Sequence, residues 1–214
     1  MLRSKAEIVR EYEVAESVHG VTFDGENVWF ASNEGLASFD PATGETKTKI
    51  AVRAPAGTAF DGQHLYQVTP EAILRIDPAT GQELGRLPSP GEDAAGLTWA
   101  EGSLWVSLYE GRKILRIDPK TGEVLRTIAS SANRNVTGVT FVDAELWHGT
   151  WQGDESDIRR IDIESGETRE TIEMPAGVGV SGLEHDGRDT FFCGGGKSGK
   201  VRAVRRPAQK RRAG

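Results

Sequence analysis

One phrase, written four times, decides what this chain can fold into. Ile114–Thr121 reads ILRIDPKT and is followed by Gly-Glu; Ile73–Gly81 reads ILRIDPATG, Leu36–Gly44 LASFDPATG and Ile158–Gly166 IRRIDIESG. Each copy is a short alternating strand that ends in a turn. Proline presets φ for such a turn, aspartate can bond the backbone ahead of it, and glycine accepts positive φ. A second phrase precedes each copy: GVTFDGENVWF from Gly20, GTAFDGQHLYQ from Gly57, GLTWAEGSLWV from Gly96 and GVTFVDAELWH from Gly138, with a fifth, GLEHDGRDTFF, from Gly182. Successive glycines are 37, 39, 42 and 44 residues apart, and an aromatic stands nine residues after each: Trp29, Tyr66, Trp105, Trp147 and Phe191. Together the two phrases give four strands per unit, the signature of a β-propeller blade.

The fifth unit has strands near 182–193 and 200–205 but no fourth strand before the basic C-terminus. Residues 6–14, AEIVREYEV, alternate in the same way as the last strand of a blade, such as Glu123–Ala129 (EVLRTIA). The expected fold is all-β: a five-bladed propeller of four-stranded antiparallel blades, with the N-terminal strand completing the last. Ring closure removes the exposed edges an open array would present. Blades are expected at 17–52, 53–89, 91–130, 133–174, and 178–206 plus 6–14. That makes 1–206 a single domain, with 207–214 a disordered basic tail. Residues 1–5 are expected to be loose, and 152–157 to be the longest irregular insert.

The single Cys193 excludes an internal disulfide and fits a reducing compartment. No stretch has the apolar length of a signal-peptide core or a membrane span, so a cytoplasmic protein that does not enter the membrane is expected. The formal charge is −6, yet residues 197–212 hold eight basic residues and no acid. The final RRPAQKRRAG is read as a solvated, frayed tail. No aromatics interleave its basics and the body is acidic, which disfavours nucleic acid as a partner.

In a four-stranded meander the turns after strands one and three share one face, and those after strands two and four the other. The first face repeats itself (DGEN, DGQH, AEGS; PATG, PATG, PKTG, IESG). The second varies (ASNEG, VTPEA, SLYEGRK, GTWQGDESD, CGGGKSGK), as do the approaches to strand one (ESVHG, RAPAG, GEDAAG, NRNVTG, VGVSG). Binding residues sit on variable loops held by a rigid scaffold. The site is therefore placed at the channel mouth on the variable face, as a receptor for a small molecule or a peptide amino terminus. Candidates for catalysis are His19, Glu34 and Glu110. Candidates for binding are Trp151, Gln152, Tyr109, Asn135, Thr137, Ser181 and Lys197, with Asn33 nearby. Trp151, a second indole beyond Trp147 on one strand, offers a flat apolar wall and an N–H donor. His19 could serve as acid, base or donor.

No cofactor and no metal are expected. No Cys/His cluster has zinc spacing. Asp154, Glu155 and Asp157 lack the spacing of a calcium loop and are read as a solvated acidic loop. GGGKSGK at 194–200 is a glycine-rich connection without the spacing or the helix of a phosphate loop.

The phrases LYQVTPEAILRID (65–77), AGLTWAEGSLWVSLYEGRKILRIDP (95–119), AELWHGTWQGDESDIRRID (144–162) and VSGLEHDGRDTFFCGGGK (180–197) resemble the glutamine cyclotransferase family. These are five-bladed propellers that convert an N-terminal glutamine to pyroglutamate and release ammonia. The likeness spans most of 17–204. It implies that Trp151, in Glu145–Trp151, is a pocket wall, and that the blade-five lysine falls near Lys197 or Lys200. Where the family's first blade opens Phe-Thr-Gln-Gly, this chain has Ser17, Val18, His19 and Gly20. The family's carboxylate at the end of blade one's second strand falls on Phe30, the nearest acid being Glu34, and a blade-two pocket tryptophan is Pro70. The resemblance implies cyclisation with His19 and Glu34 or Glu110 as proton carriers. The residues alone leave two other readings: a non-catalytic binding propeller, and a metal-dependent lyase or lactonase on the same frame, like the streptogramin lyases.

Overall fold

The computed structural model describes residues 1–195 and 197–208. Two strands come before the first blade, β1 (Leu2–Lys5) and β2 (Ile8–Glu13). Blade one is β3 (Gly20–Phe23), β4 (Val28–Ser32), β5 (Gly35–Phe39) and β6 (Thr46–Ile50), and blade two is β7 (Thr58–Phe60), β8 (Leu65–Val68), β9 (Ala72–Ile76) and β10 (Glu83–Pro88). Blade three is β11 (Ala94–Ala100), β12 (Ser103–Leu108), β13 (Lys113–Ile117) and β14 (Val124–Ala129). Blade four is β15 (Asn135–Val142), β16 (Glu145–Gln152), β17 (Glu155–Ile161) and β18 (Thr168–Glu173), and blade five contributes β19 (Gly182–His185), β20 (Thr190–Gly194) and β21 (Lys200–Arg205). The blades are antiparallel meanders arranged in a ring, a five-bladed β-propeller. No helix among the described residues is long and apolar enough to cross a membrane.

The repeated turns form as their residues dictate. In each, an aspartate carboxylate accepts a backbone N–H two or three residues on: Asp40 from Ala42, Asp77 from Ala79 and Asp118 from Lys120, each at 2.7 Å, and Asp162 from Ser165 at 2.9 Å. The closing glycines Gly44, Gly81, Gly122 and Gly166 hold φ between 72° and 83°, which costs a side-chain-bearing residue about 1–2 kcal/mol.

The glycines that open each blade serve another purpose, because they are where the blades touch. A Cβ on Gly20 would lie 2.7 Å from Thr58 N, on Gly57 2.5 Å from Leu97 N, on Gly96 2.3 Å from Thr137 O, on Gly138 2.3 Å from Leu183 N, and on Gly182 2.4 Å from Val21 N. Each contact is to backbone of the next blade, and the fifth returns to the first. The glycine that opens each repeat is therefore the bearing surface of the ring.

Five apolar clusters fill the five interfaces. Trp29 packs with Leu65 and Ile76 between blades one and two, Tyr66 with Leu97 and Leu104 between two and three, and Trp105 with Val139 and Leu146 between three and four. Trp147 packs with Phe191 and Leu183 between four and five. In blade five the nine-residue spacing misidentifies the aromatic. The β19–β20 turn is one residue longer than its counterparts, so Phe192, not Phe191, faces Glu184 in the register that pairs Thr22 with Trp29. Phe192 joins Tyr12, Val21 and Phe39 in the cluster between blades five and one.

As expected, β2 is the fourth strand of blade five, antiparallel to β21 with Tyr12 opposite Val201. Charge guides this seam. Glu11 accepts from Lys200 at 3.0 Å and Arg202 at 2.7 Å, and Glu7 accepts from Arg205 at 2.9 Å. Arg206, 5% exposed, reaches Asp143 at 2.6 Å and Glu145 at 3.1 Å on blade four. The reading of Arg205 and Arg206 as part of a frayed tail is thus corrected: Arg205 ends β21 and pairs at the surface with Glu7 and Asp189, and Arg206 is buried against blade four. Residues 209–214, most of the expected tail, lie outside the described residues.

Two further expectations are corrected. Residues 1–5 are not loose: β1 runs parallel to β18 as a fifth strand of blade four. Residues 152–157 are not irregular either: the β16–β17 ladder continues through Trp151–Ser156 to Gln152–Glu155 and turns at Gly153, whose φ is 60°. Sequence suggested an insert because the residues are polar; the hairpin simply extends above its neighbours.

His148 on β16 is fully buried, its Nδ1–H donating to Gly149 O at 2.9 Å and its Nε2 accepting from Ser130 Oγ at 3.1 Å. Burial drives its pKa from 6.5 down to about 4. The unfolded chain then takes up a proton between pH 6.5 and 4 that the folded one refuses. The stability contributed by neutral His148 is complete above pH 6.5 and lost as pH falls toward 4, a loss of about 3 kcal/mol. Denaturation followed from pH 7.5 to 4.5 should show this slope, and His148→Gln should flatten it.

Candidate functional site

The residue before each blade-opening glycine faces the channel mouth. These are His19, Ala56, Ala95, Thr137 and Ser181, one per blade, and all five line one cavity of about 780 Å³. They form its floor, because the glycines beside them pinch the channel shut. The walls are Pro55, Glu92, Asp93, Ala94, Tyr109, Glu110 and Trp151, from the approach loops and the extended hairpins on the variable face.

Trp151 is placed by period: Trp147, Gly149 and Trp151 alternate onto one side of β16. Its indole lies against Gly179, where a Cβ would come within 2.8 Å of the ring. The indole N–H donates to Gly153 O at 2.9 Å. It is therefore not available to a ligand, and Trp151 presents a flat apolar wall without the donor that sequence assigned to it.

His19 is held by Asn33, whose Oδ1 is 2.9 Å from Nε2, with Ser17 Oγ 3.3 Å from the same nitrogen. An amide oxygen only accepts, so Nε2 carries the proton and Nδ1 keeps its lone pair as a base. Asp93 laces together the two loops of the blade-three wall. Its Oδ2 accepts from Gly111 N at 2.9 Å and its carbonyl from Tyr109 N at 2.8 Å. Thr137 is 4% exposed, and its Oγ1 has no hydrogen-bond partner within the protein. Its backbone carbonyl, by contrast, accepts from Ser107 Oγ.

Of the residues expected at the site, the cavity gathers His19, Tyr109, Glu110, Thr137, Trp151 and Ser181. It does not include Glu34, Asn135, Gln152 or Lys197. Glu34 is exposed beside a separate hollow with Val14, Ala15 and Lys49, while its neighbour Asn33 is the turn residue that reaches His19. Asn135 is half-buried in register with Trp151, Gln152 is at the exposed hairpin tip, and Lys197 is exposed in the β20–β21 connection. Sequence reasoning missed Glu92 and Asp93. The signal was there, since both stand in the GEDAAG approach to strand one on the variable face, four and three residues before Gly96.

A hollow of about 880 Å³ against the outer strands of blade four is larger. Most of its charged groups are already paired: Asp157 accepts from Arg134 at 2.7 Å and from Arg159 at 2.6 Å, Arg134 also pairs with Glu155, and Arg3 with Glu173. Asp157 is buried rather than part of a solvated acidic loop. Burial would raise its pKa, but bonds from Arg159 and Thr150 and the two guanidinium charges hold it below the usual range. Below the floor, Glu184 Oε2 accepts from Thr98 at 3.0 Å and Thr22 at 3.3 Å, and Oε1 from Thr140. Burial pushes this carboxyl up. It ties blade five to blades one, three and four.

No family model matches the chain, and no curated protein matches it. Solved structures do. A glutaminyl cyclase from Myxococcus xanthus is similar at a TM-score of 0.75 and 18% identity, covering 95% of this chain and 97% of that one. The Cps50 (Swd1) β-propeller domain of Myceliophteria thermophila is similar at 0.60 and 11% identity, over 94% of this chain and all of that one. Hydrazine synthase of Kuenenia stuttgartiensis is similar at 0.52 and 20% identity, over 84% of this chain and 56% of that one. The fold is a propeller. At these identities the likeness carries the architecture and leaves the chemistry to the site.

Proposed function

We propose that the mouth captures the amino terminus of a peptide and cyclises an N-terminal glutamine to pyroglutamate, releasing ammonia. The observation that carries this reading is the joint lining of one cavity by an imidazole with an unused lone pair, a carboxylate and an indole wall: His19, Glu110 and Trp151. The near-complete overlap with the fold of a glutaminyl cyclase supports it.

Cyclisation needs the α-amine deprotonated and held against the side-chain amide. The amine nitrogen forms a bond to the amide carbon, the C–NH₂ bond breaks, and the leaving nitrogen departs as ammonia after gaining a proton. His19 Nδ1 takes one proton from the ammonium and returns it to the leaving nitrogen; the second proton that the attacking nitrogen sheds on becoming the lactam N–H passes to the released ammonia, which leaves as ammonium. Glu110 holds the ammonium at the start. Trp151 and Tyr109 confine the side chain so that the five-membered ring closes, which is where most of the rate arises. General acid–base help of this kind is worth about 10²–10⁴-fold.

A peptide beginning in glutamine, followed by mass with and without a chelator, should lose one ammonia. His19→Ala should lower kcat about 100-fold or more, while Trp151→Ala should act mainly through KM. Absence of turnover with retained binding would instead favour non-catalytic capture. One observation favours that second reading: Phe30, where the resembled family has a carboxylate, is buried within β4, and Glu34 is not on the cavity. A metal-dependent reaction has no such support. Among the described residues no group of three or more His, Cys, Asp and Glu could hold a metal ion.

A further inference from the structure

We infer that Gly179 determines the specificity of the mouth, by setting how wide a side chain on the N-terminal residue fits beside Trp151. The inference rests on the amino-terminus reading above and adds the residue that selects the substrate.

Gly179 is a glycine for room and not for conformation. Gly177, two residues earlier, turns the chain with a φ of 77° and has nothing within 4 Å of where a Cβ would stand. Gly179 is the reverse. Its φ is outside the left-handed region, and a Cβ there would meet three carbons of the Trp151 indole, Cζ2 at 2.8 Å, Cε2 at 2.9 Å and Cη2 at 3.0 Å. Carbon atoms rest about 3.5–4.0 Å apart, so a single methyl group would have to move the ring by roughly 1 Å.

The displacement falls on the ring because its surroundings are fixed. The loop is pinned on both sides of Gly179: Val178 O accepts from Ser156 Oγ, Val178 N donates to Pro175 O at 3.1 Å, and Ser181 N donates to Gly194 O at 2.5 Å. Behind the loop stands the β20–β21 connection, so close that a Cβ on Gly195 would lie 2.2 Å from Gly179 O. The backbone of Trp151 is held in the blade-four ladder between Asn135 and Ser156. What is left is rotation of the side chain. Trp151 lines the cavity and Gly179 does not, so an indole pushed off Gly179 moves into the cavity. Glycine at 179 keeps the wall drawn back, and the space it leaves is the space a substrate side chain takes.

The test measures Kd by calorimetry for amides of Gln-Ala-Ala and Gly-Ala-Ala, with conversion read by mass. It uses the full chain and its Gly179→Ala, Trp151→Ala and doubly substituted forms. Gly179→Ala should weaken the glutamine peptide about 10-fold. The glycine peptide, which has no side chain to meet the wall, should weaken by less than about 2-fold. With Trp151→Ala already in place, Gly179→Ala should change neither Kd by more than about 2-fold, because the cycle isolates the pair. Acrylamide quenching of Trp151 emission, taken as the difference from the matching Trp151→Phe protein, reads the displacement without a ligand and should rise in Gly179→Ala. If Gly179→Ala lowers stability, the double variant should recover it, since the methyl group then enters vacated space. Equal losses for the two peptides, a loss that persists without the indole, or unchanged quenching would overturn the inference. The expected losses without ammonia release would uphold it and remove the cyclisation reading. Ammonia release from the glutamine peptide at one kcat/KM in the parent and in Gly179→Ala would do the reverse, and absence of binding by both peptides would remove the two together.

Discussion

Gly96→Ala should cost this protein about 3 kcal/mol or more, a large share of the 5–15 kcal/mol that holds a typical domain folded. The added Cβ would sit 2.3 Å from Thr137 O and 2.7 Å from the Cα of Gly138. Both atoms are backbone of the next blade, so no rotamer change relieves the clash, and blades three and four must move apart. In a closed ring that displacement has nowhere to end. Opening one joint loosens the packing of Trp105 against Val139 and Leu146 and strains the four others. Gly85→Ala is the control: its Cβ would meet only an arginine side-chain nitrogen at 3.7 Å, and it should leave stability within about 0.5 kcal/mol. Urea denaturation of both variants decides the matter. A Gly96→Ala protein as stable as the parent would mean that the blades are not in bearing contact.

Deleting residues 1–14 should be the more damaging change. It removes β2 and β1 together, taking away Tyr12, whose ring is 4.6 Å from Phe39 and whose hydroxyl donates to Pro41 O at 2.8 Å. Truncation of a buried aromatic alone costs about 3–5 kcal/mol. The deletion also bares the edge of β21, a template for pairing with another chain. Light scattering should find oligomers, and the melt should broaden and shift down by 10 °C or more, at about 4 °C or less per kcal/mol for a chain of this size. A monomer with an unchanged melt would show that the ring holds without its N-terminal strand.

Most of the architecture was legible because it is periodic. Gly20, Gly57, Gly96, Gly138 and Gly182 mark the blades, and the missing fourth strand of the last blade pointed to residues 6–14. What failed was whatever departs from the repeat by one residue or depends on a distant partner. Phe191 was mistaken for Phe192 because one turn is a residue longer. Residues 1–5 offered no apolar alternation to announce a strand, since β1 is exposed throughout and held by its ladder with β18. Arg206 read as a tail residue because Asp143 and Glu145, its partners, lie some 60 positions away. The site was half legible. The variable loops do border the mouth cavity, and His19, Thr137 and Ser181 line it. Glu34 was misplaced because a position in a turn does not say which way the side chain goes. The function of the Trp151 N–H could not be read at all, since it is spent on a carbonyl two residues away.

The seam between β2 and β21 has a consequence for how the chain is made. β2 ends at Glu13, and its partner strand is not complete until Arg205. At about 5–20 residues per second, translation of the intervening stretch takes roughly 10–40 s. Through that interval the first strand of the ring has no native partner, while other strand edges form and vanish around it. Glu7, Arg10, Glu11 and Glu13 discourage mispairing on so charged a segment. The same acids recognise Lys200, Arg202 and Arg205 when these emerge. The charges that guard the waiting strand are those that later lock it in place.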